Sequence, residues 1–115
     1  MSSKSPAQRL RDIIENIDVI DTFTTELDEV SFTRDRKSVY AVVRALEIIS
    51  EASRRLPLDI TARHPEIDWP AVAAAGNIYR HEYDGVDEAL IWHTVRHDLA
   101  ALRIAAATEL SRLRA

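Results

Sequence analysis

The apolar residues Leu10, Ile13, Ile14, Ile17 and Ile20 recur three and four positions apart, the spacing of one face of an α-helix. The rhythm returns at Val39, Val42, Val43, Leu46, Ile49 and Ser53, and again at Ile91, Val95, Leu99, Leu102, Ala106, Leu110 and Leu113. The valine, isoleucine and threonine alternation of a half-buried strand is lacking. Two glycines and four prolines in 115 residues leave little punctuation for hairpins, while abundant Ala, Leu, Glu and Arg favour helix. The expectation is an all-α protein: an antiparallel four-helix bundle with a short third helix. Its 46% hydrophobic content supports one modest core, hence a single domain over residues 1–115.

Local signals set the expected boundaries. Ser5 and Pro6 supply a cap and a first-turn proline for helix one, Pro6 to Leu27, whose polar face of Arg11, Asp12, Glu15 and Asp18 reads as solvated surface. Asp21 falls near the apolar stripe, which fits a buried hydrogen bond or a place at the stripe's edge. The period breaks at "DEVSFTRDRKS", where Ser31 or Thr33 can cap helix two, Asp35 to Arg55. The longest irregular connection, "LPLDITARHPEIDWP", carries Trp69 as an anchor on the core and Asp68 as the cap of helix three, Pro70 to Tyr83. Gly85 suits a left-handed stop, and Asp87 and Glu88 complement the amino-terminal dipole of a long fourth helix.

Nineteen acids against fifteen bases give a net charge of −4, so the whole-molecule field repels a polyanion and any nucleic-acid contact must be local. The absence of cysteine removes disulfides and thiolate metal sites and fits a reducing compartment. The start "MSSKSPAQRL" lacks the apolar core of a signal peptide, and no apolar run nears the ~20 residues that span a bilayer. A soluble cytoplasmic protein is expected.

The window "AAAGNIYRHEYDGVDEA", Ala73 to Ala89, concentrates unusual chemistry: two tyrosines, an arginine, a histidine and both glycines. On a helix, Asn77 and His81 share one face, while Val72, Gly76, Tyr79 and Tyr83 line up roughly on another, with Arg80 between. Gly76 inside a helix costs about 1 kcal/mol relative to alanine, which close packing of a neighbour would repay. Imidazoles as a class titrate near neutrality and serve as acid or base in phosphodiester cleavage, where a cation must also stabilise phosphate charge. A histidine near a helix carboxyl terminus also interacts well with the dipole and needs no function to explain it.

The stretches "ALEIISEASRRLP" from Ala45 and "IDWPAVAAAGNIYRHEYDGVD" from Ile67, with the long last helix, resemble the HepT-like branch of the HEPN superfamily over about Arg9 to Leu110. His-Glu-Tyr followed by Asp-Gly-Val-Asp is the most specific part. The resemblance implies a helical homodimer acting on RNA as a metal-independent endoribonuclease without cofactor. Such a protein is the toxin of a type II toxin–antitoxin pair, encoded beside a nucleotidyltransferase-type antitoxin. The family motif is an arginine, four to six residues, a histidine, any residue and a tyrosine, with a polar residue often directly after the arginine. His81, Tyr83 and Asn77 match the histidine, tyrosine and polar residue. By the same resemblance, two copies of the motif meet across the dimer, and the antitoxin silences the toxin by transferring AMP to the tyrosine, here Tyr83.

The positions open to the motif arginine are Gly76, Ala75 and Ala74, none of them basic. Arg80 points about 100° away from His81 on a helix. The charge then falls to Arg80 or to Arg44, which belongs to a second stripe of Tyr40, Arg44, Glu47 and Glu51; Arg44 and Glu51 read otherwise as an exposed ion pair. The alternative function is a catalytically impaired helical dimer that acts as a partner-binding module or as an AMPylation substrate. His93 and His97 have metal-ligand spacing beside Asp98, but a third convergent ligand is missing nearby, so no metal is expected. The basic groups Arg34-Arg36-Lys37 and Arg54-Arg55 can hold phosphates but read as surface.

Overall fold

The computed structural model describes residues 5–81 and 87–114, with the backbone alone described for residues 76–81. Helix α1, Pro6–Thr24, starts where the Ser5 hydroxyl accepts the Gln8 amide at 3.2 Å and Pro6 presets the first turn. It buries Leu10, Ile13, Ile17 and Ile20, each contributing about 1.5–3 kcal/mol relative to exposure. Asp21 is exposed at the edge of this stripe. Asp12 departs from the expected solvated face: it is buried and accepts a hydrogen bond from Gln8 Nε2 at 3.0 Å, because α3 lies over that side of α1.

The break after α1 contains a helix of its own. Helix α2, Glu29–Arg34, is closed by reciprocal bonds between Asp28 and Ser31 and buries Phe32, whose ring stands 5.2 Å from that of Trp92. Ser31 therefore serves this short helix, and neither it nor Thr33 caps the next. Asp35 caps helix α3, Arg36–Arg54, by accepting from the Ser38 amide and hydroxyl. The inner face of α3 buries Val39, Val42, Leu46, Ile49 and Ser53 as the period predicts, with Ala45 and Ala52 besides, while Val43 is only partly buried.

The expected irregular connection also holds a short helix, α4, Leu58–Ala62, which points Ile60 into the core. Helix α5, Trp69–His81, follows Asp68, whose carboxylate accepts the Ala71 amide at 3.1 Å. Asp87 accepts the Leu90 amide at 3.1 Å to open helix α6, Glu88–His97. The single long fourth helix is thus interrupted: Asp98, with φ −108°, closes α6, and α7 runs Leu99–Arg114. Helix α6 buries Ile91, Trp92 and Val95 and packs on α2, while α7 buries Leu99, Leu102, Ala105, Ala106 and Leu110 and packs on α1. Leu113, expected inside, is half exposed near the chain end.

Helices α1, α3 and α7 form the centre, with α5 packed along α3. The protein is all-α, and the described residues contain no strand. Arg103 grips Asp18 bidentately at 2.8 and 2.9 Å across α7 and α1, and this lowers the Asp18 carboxyl below its ordinary range. An exposed pair of that kind contributes at most about 1 kcal/mol, so apolar burial holds the helices together. Replacing Asp87 by alanine is expected to cost about 1 kcal/mol of unfolding free energy, read as a lower denaturant midpoint at unchanged slope.

Candidate functional site

The last described turns of α5 carry Asn77, Arg80 and His81, one helical turn separating Asn77 from His81 along the backbone. The side chains of these three residues, and Tyr83 altogether, lie outside the described residues, as does Gly85. What is described is how α5 is held. Ser50 Oγ of α3 donates to the Val72 carbonyl at 2.8 Å, and Arg54 Nη1 donates to the Ala73 carbonyl at 2.8 Å. These bonds land on backbone oxygens, so they set the height of α5 along α3 in a way that apolar contact alone cannot.

A groove of about 270 Å³ opens between α1 and α3, lined by Arg9, Asp12, Arg44, Glu47, Ile48, Glu51 and Ala52. Arg44 and Glu51, placed by the sequence on one stripe, both reach it, yet they do not pair with each other. Arg44 is 71% exposed and stands 3.9 Å from Glu47. Glu51 instead accepts from Arg54 at 2.7 Å and Arg55 at 3.0 Å, and those two bonds hold its carboxyl below the usual range. Geometry explains the split: Arg44 and Glu47 are one turn apart, whereas Glu51 lies nearly two turns from Arg44 and within one turn of both later arginines. Among the described residues, Arg44 thus presents its guanidinium to the groove with Glu47, 3.9 Å away in its own helix, as its ion-pair partner.

A second cleft, about 450 Å³, lies among α3, α5, α6 and α7, floored by Leu46, Ile49, Val72 and Leu102. Both openings carry acids, Glu66, Asp68 and Asp98 here and Asp12, Glu47 and Glu51 in the first, but among the described residues the first alone is lined by arginines, Arg9 and Arg44, that can meet a phosphate. His93 and His97 are exposed and stack with ring centres 4.4 Å apart. Among the described residues no three His, Cys, Asp or Glu side chains gather to hold a metal. Of the basic clusters, Arg36 covers Tyr40 and donates to its hydroxyl at 3.0 Å, while Arg54 and Arg55 are spent on Glu51 and on α5.

One constellation was not singled out from the sequence. Glu109 of α7 is 1% exposed and receives Arg63 through Nε at 3.1 Å and Nη2 at 2.6 Å, His64 Nε2 at 2.7 Å, and the side chain of Arg112 at 3.4 Å. The Arg63 bonds, joined by that from His64 and opposed by burial, hold its carboxyl down at about 2. The signal for it was an acid on the stripe of Leu102, Ala106 and Leu110, a position where a lone charge is costly.

The fold is all-α, and comparison with known proteins specifies the family. The ribonuclease HepT-like family model matches residues 13–108. A protein of Thermococcus cleftensis described as a probable ribonuclease HepT is 42% identical over 100 residues, covering 87% of this chain and 91% of that one. A Methanocaldococcus jannaschii protein with a provisional RNase designation is 35% identical over 103 residues, covering 90% and 94%. Another with such a designation, from Caldanaerobacter subterraneus, is 29% identical over 99 residues, covering 86% and 88%. No solved structure gives a significant match. The chain belongs to the ribonuclease HepT-like family.

Proposed function

We propose that this chain is a metal-independent endoribonuclease, the toxin of a toxin–antitoxin pair, working as a homodimer in the cytoplasm. In this reading a ribose 2′-oxygen attacks the adjacent phosphorus, the 5′-oxygen leaves, and His81 moves the proton as acid or base while Asn77 hydrogen-bonds the phosphate. Tyr83 is the residue on which a nucleotidyltransferase antitoxin would place AMP, adding a bulky anion beside the imidazole. The relatives named as ribonucleases support the activity class.

The observation that carries the mechanism is Arg44. Family chemistry needs a cation, the motif position holds Gly76, and Arg44 offers an exposed guanidinium in a groove of the helix against which α5 packs. Arg80, on α5 itself, is the other source. Purified chain is expected to cleave single-stranded RNA in excess chelator, and the variant lacking the operative arginine, Arg44→Ala or Arg80→Ala, to slow roughly 10²–10³-fold. Equal rates in both variants and the parent would remove both residues from the mechanism.

Gly76 also favours a second reading, a partner-binding module of the same fold with impaired catalysis. Gly76→Arg separates the two. A large gain of cleavage over an inert parent supports the impaired module, whereas an already active parent supports the enzyme.

A further inference from the structure

Glu109 is the most deeply buried acid among the described residues. A buried carboxylate survives only with strong partners, and here they reach it from a particular place. Arg63 and His64 both belong to the connection between α4 and α5, and the His64 carbonyl in turn accepts the Trp69 indole N–H at 3.1 Å. Trp69 is the first residue of α5. Hydrogen bonds therefore run without a gap from α7, through His64, to the start of the helix that carries Asn77 and His81.

This arrangement sets direction as well as distance. Arg63 meets Glu109 with the Nε–Nη2 fork of its guanidinium, Nη2 donating to Oε1 at 2.6 Å and Nε shared between Oε1 at 3.1 Å and Oε2 at 3.2 Å, so the approach of the guanidinium is held by three contacts. An apolar residue at position 109 would continue the stripe of Leu102, Ala106 and Leu110 with no desolvation penalty, but it would let the connection slide. From Trp69 to His81 a helix spans ~18 Å at its ordinary rise, so a tilt of about 3° at one end moves the other by ~1 Å. A misplacement of that size can cost ~10²-fold in rate.

We infer that Arg63, His64 and Glu109 are positioning residues, a remote seat for α5 that determines where Asn77 and His81 stand without touching the substrate. The rate consequence rests on the ribonuclease reading; the seating of α5 does not. The test compares Glu109→Gln and His64→Leu with Ile20→Val, a modest core truncation in α1, by RNA cleavage and by the NMR resonance of the His81 imidazole. Glu109→Gln should lower kcat roughly ten- to hundredfold with KM within about twofold, and shift the His81 resonance. His64→Leu, which leaves the Arg63 fork in place, should do both to a smaller degree, and should carry the test if Glu109→Gln does not fold. Ile20→Val should do neither. An unshifted His81 resonance in the folded variants overturns the seat, as does an equal loss of kcat in Ile20→Val. A parent that cleaves no RNA would sink the ribonuclease reading alone, since the resonance still decides the seat.

Discussion

His81→Ala is expected to abolish RNA cleavage by the purified chain and to relieve growth inhibition when the chain is expressed without a partner. Proton transfer by a positioned imidazole contributes typically 10²–10⁴-fold, so the residual rate should fall below ~1% of the parent. The loss should appear in kcat, because the proton moves only as the phosphorane-like state is reached and the ring contributes little to ground-state binding. The fold should survive, since the described anchors of α5, at Ser50, Arg54, Asp68 and Trp69, all act on its first turns, away from His81. His93→Ala and His97→Ala are the controls: both rings are exposed on α6, stacked on each other, and should leave the rate unchanged. Cleavage by His81→Ala at the parent rate would take the imidazole out of the mechanism.

The parts of this molecule that were legible in sequence are those governed by a single period. Helices α1 and α3 follow their apolar stripes almost to the residue, and the spacing of Asn77 and His81 follows from the helical pitch of α5. Helices α2 and α4 escaped because each is under two turns and points one large apolar residue inward, Phe32 or Ile60, which leaves no repeat to detect. The break at Asp98 was hidden for a related reason: the stripe from Ile91 to Leu110 passes through it without a change of spacing. At the groove, the sequence put Arg44 and Glu51 on one stripe, but which arginine a glutamate chooses depends on competition among neighbours, and Arg54 and Arg55 won it. The seat of α5 was least legible, because Arg63 and Glu109 stand 46 residues apart and no local pattern links them. Only the oddity of an acid on an apolar stripe pointed that way.

The same acid dominates the expected response to low pH. Glu109 has a folded-state pKa of about 2 against an ordinary 4.5, so the folded chain binds its proton less readily than the unfolded chain. A depressed carboxyl of this kind contributes its full stabilisation above the unfolded value and loses it as pH falls from about 5 through about 2. The size is on the order of 3 kcal/mol, from the shift at 1.36 kcal/mol per pKa unit. Other carboxyls, among them Asp18 and Glu51, are lowered as well, so the acid limb of the parent alone does not isolate the cluster. The difference between the parent and Glu109→Gln does. At neutral pH the variant is expected to unfold at lower denaturant, by on the order of 3 kcal/mol, because Arg63 and Arg112 are left facing a neutral amide and His64 loses its anionic acceptor. As pH is lowered toward 2 the two stability curves should converge, since the parent's carboxyl is then acquiring the proton that makes it resemble the amide. Parallel curves from pH 7 to pH 2 would mean that the carboxylate's charge contributes nothing, and that Arg63 and His64 hold their places by packing alone.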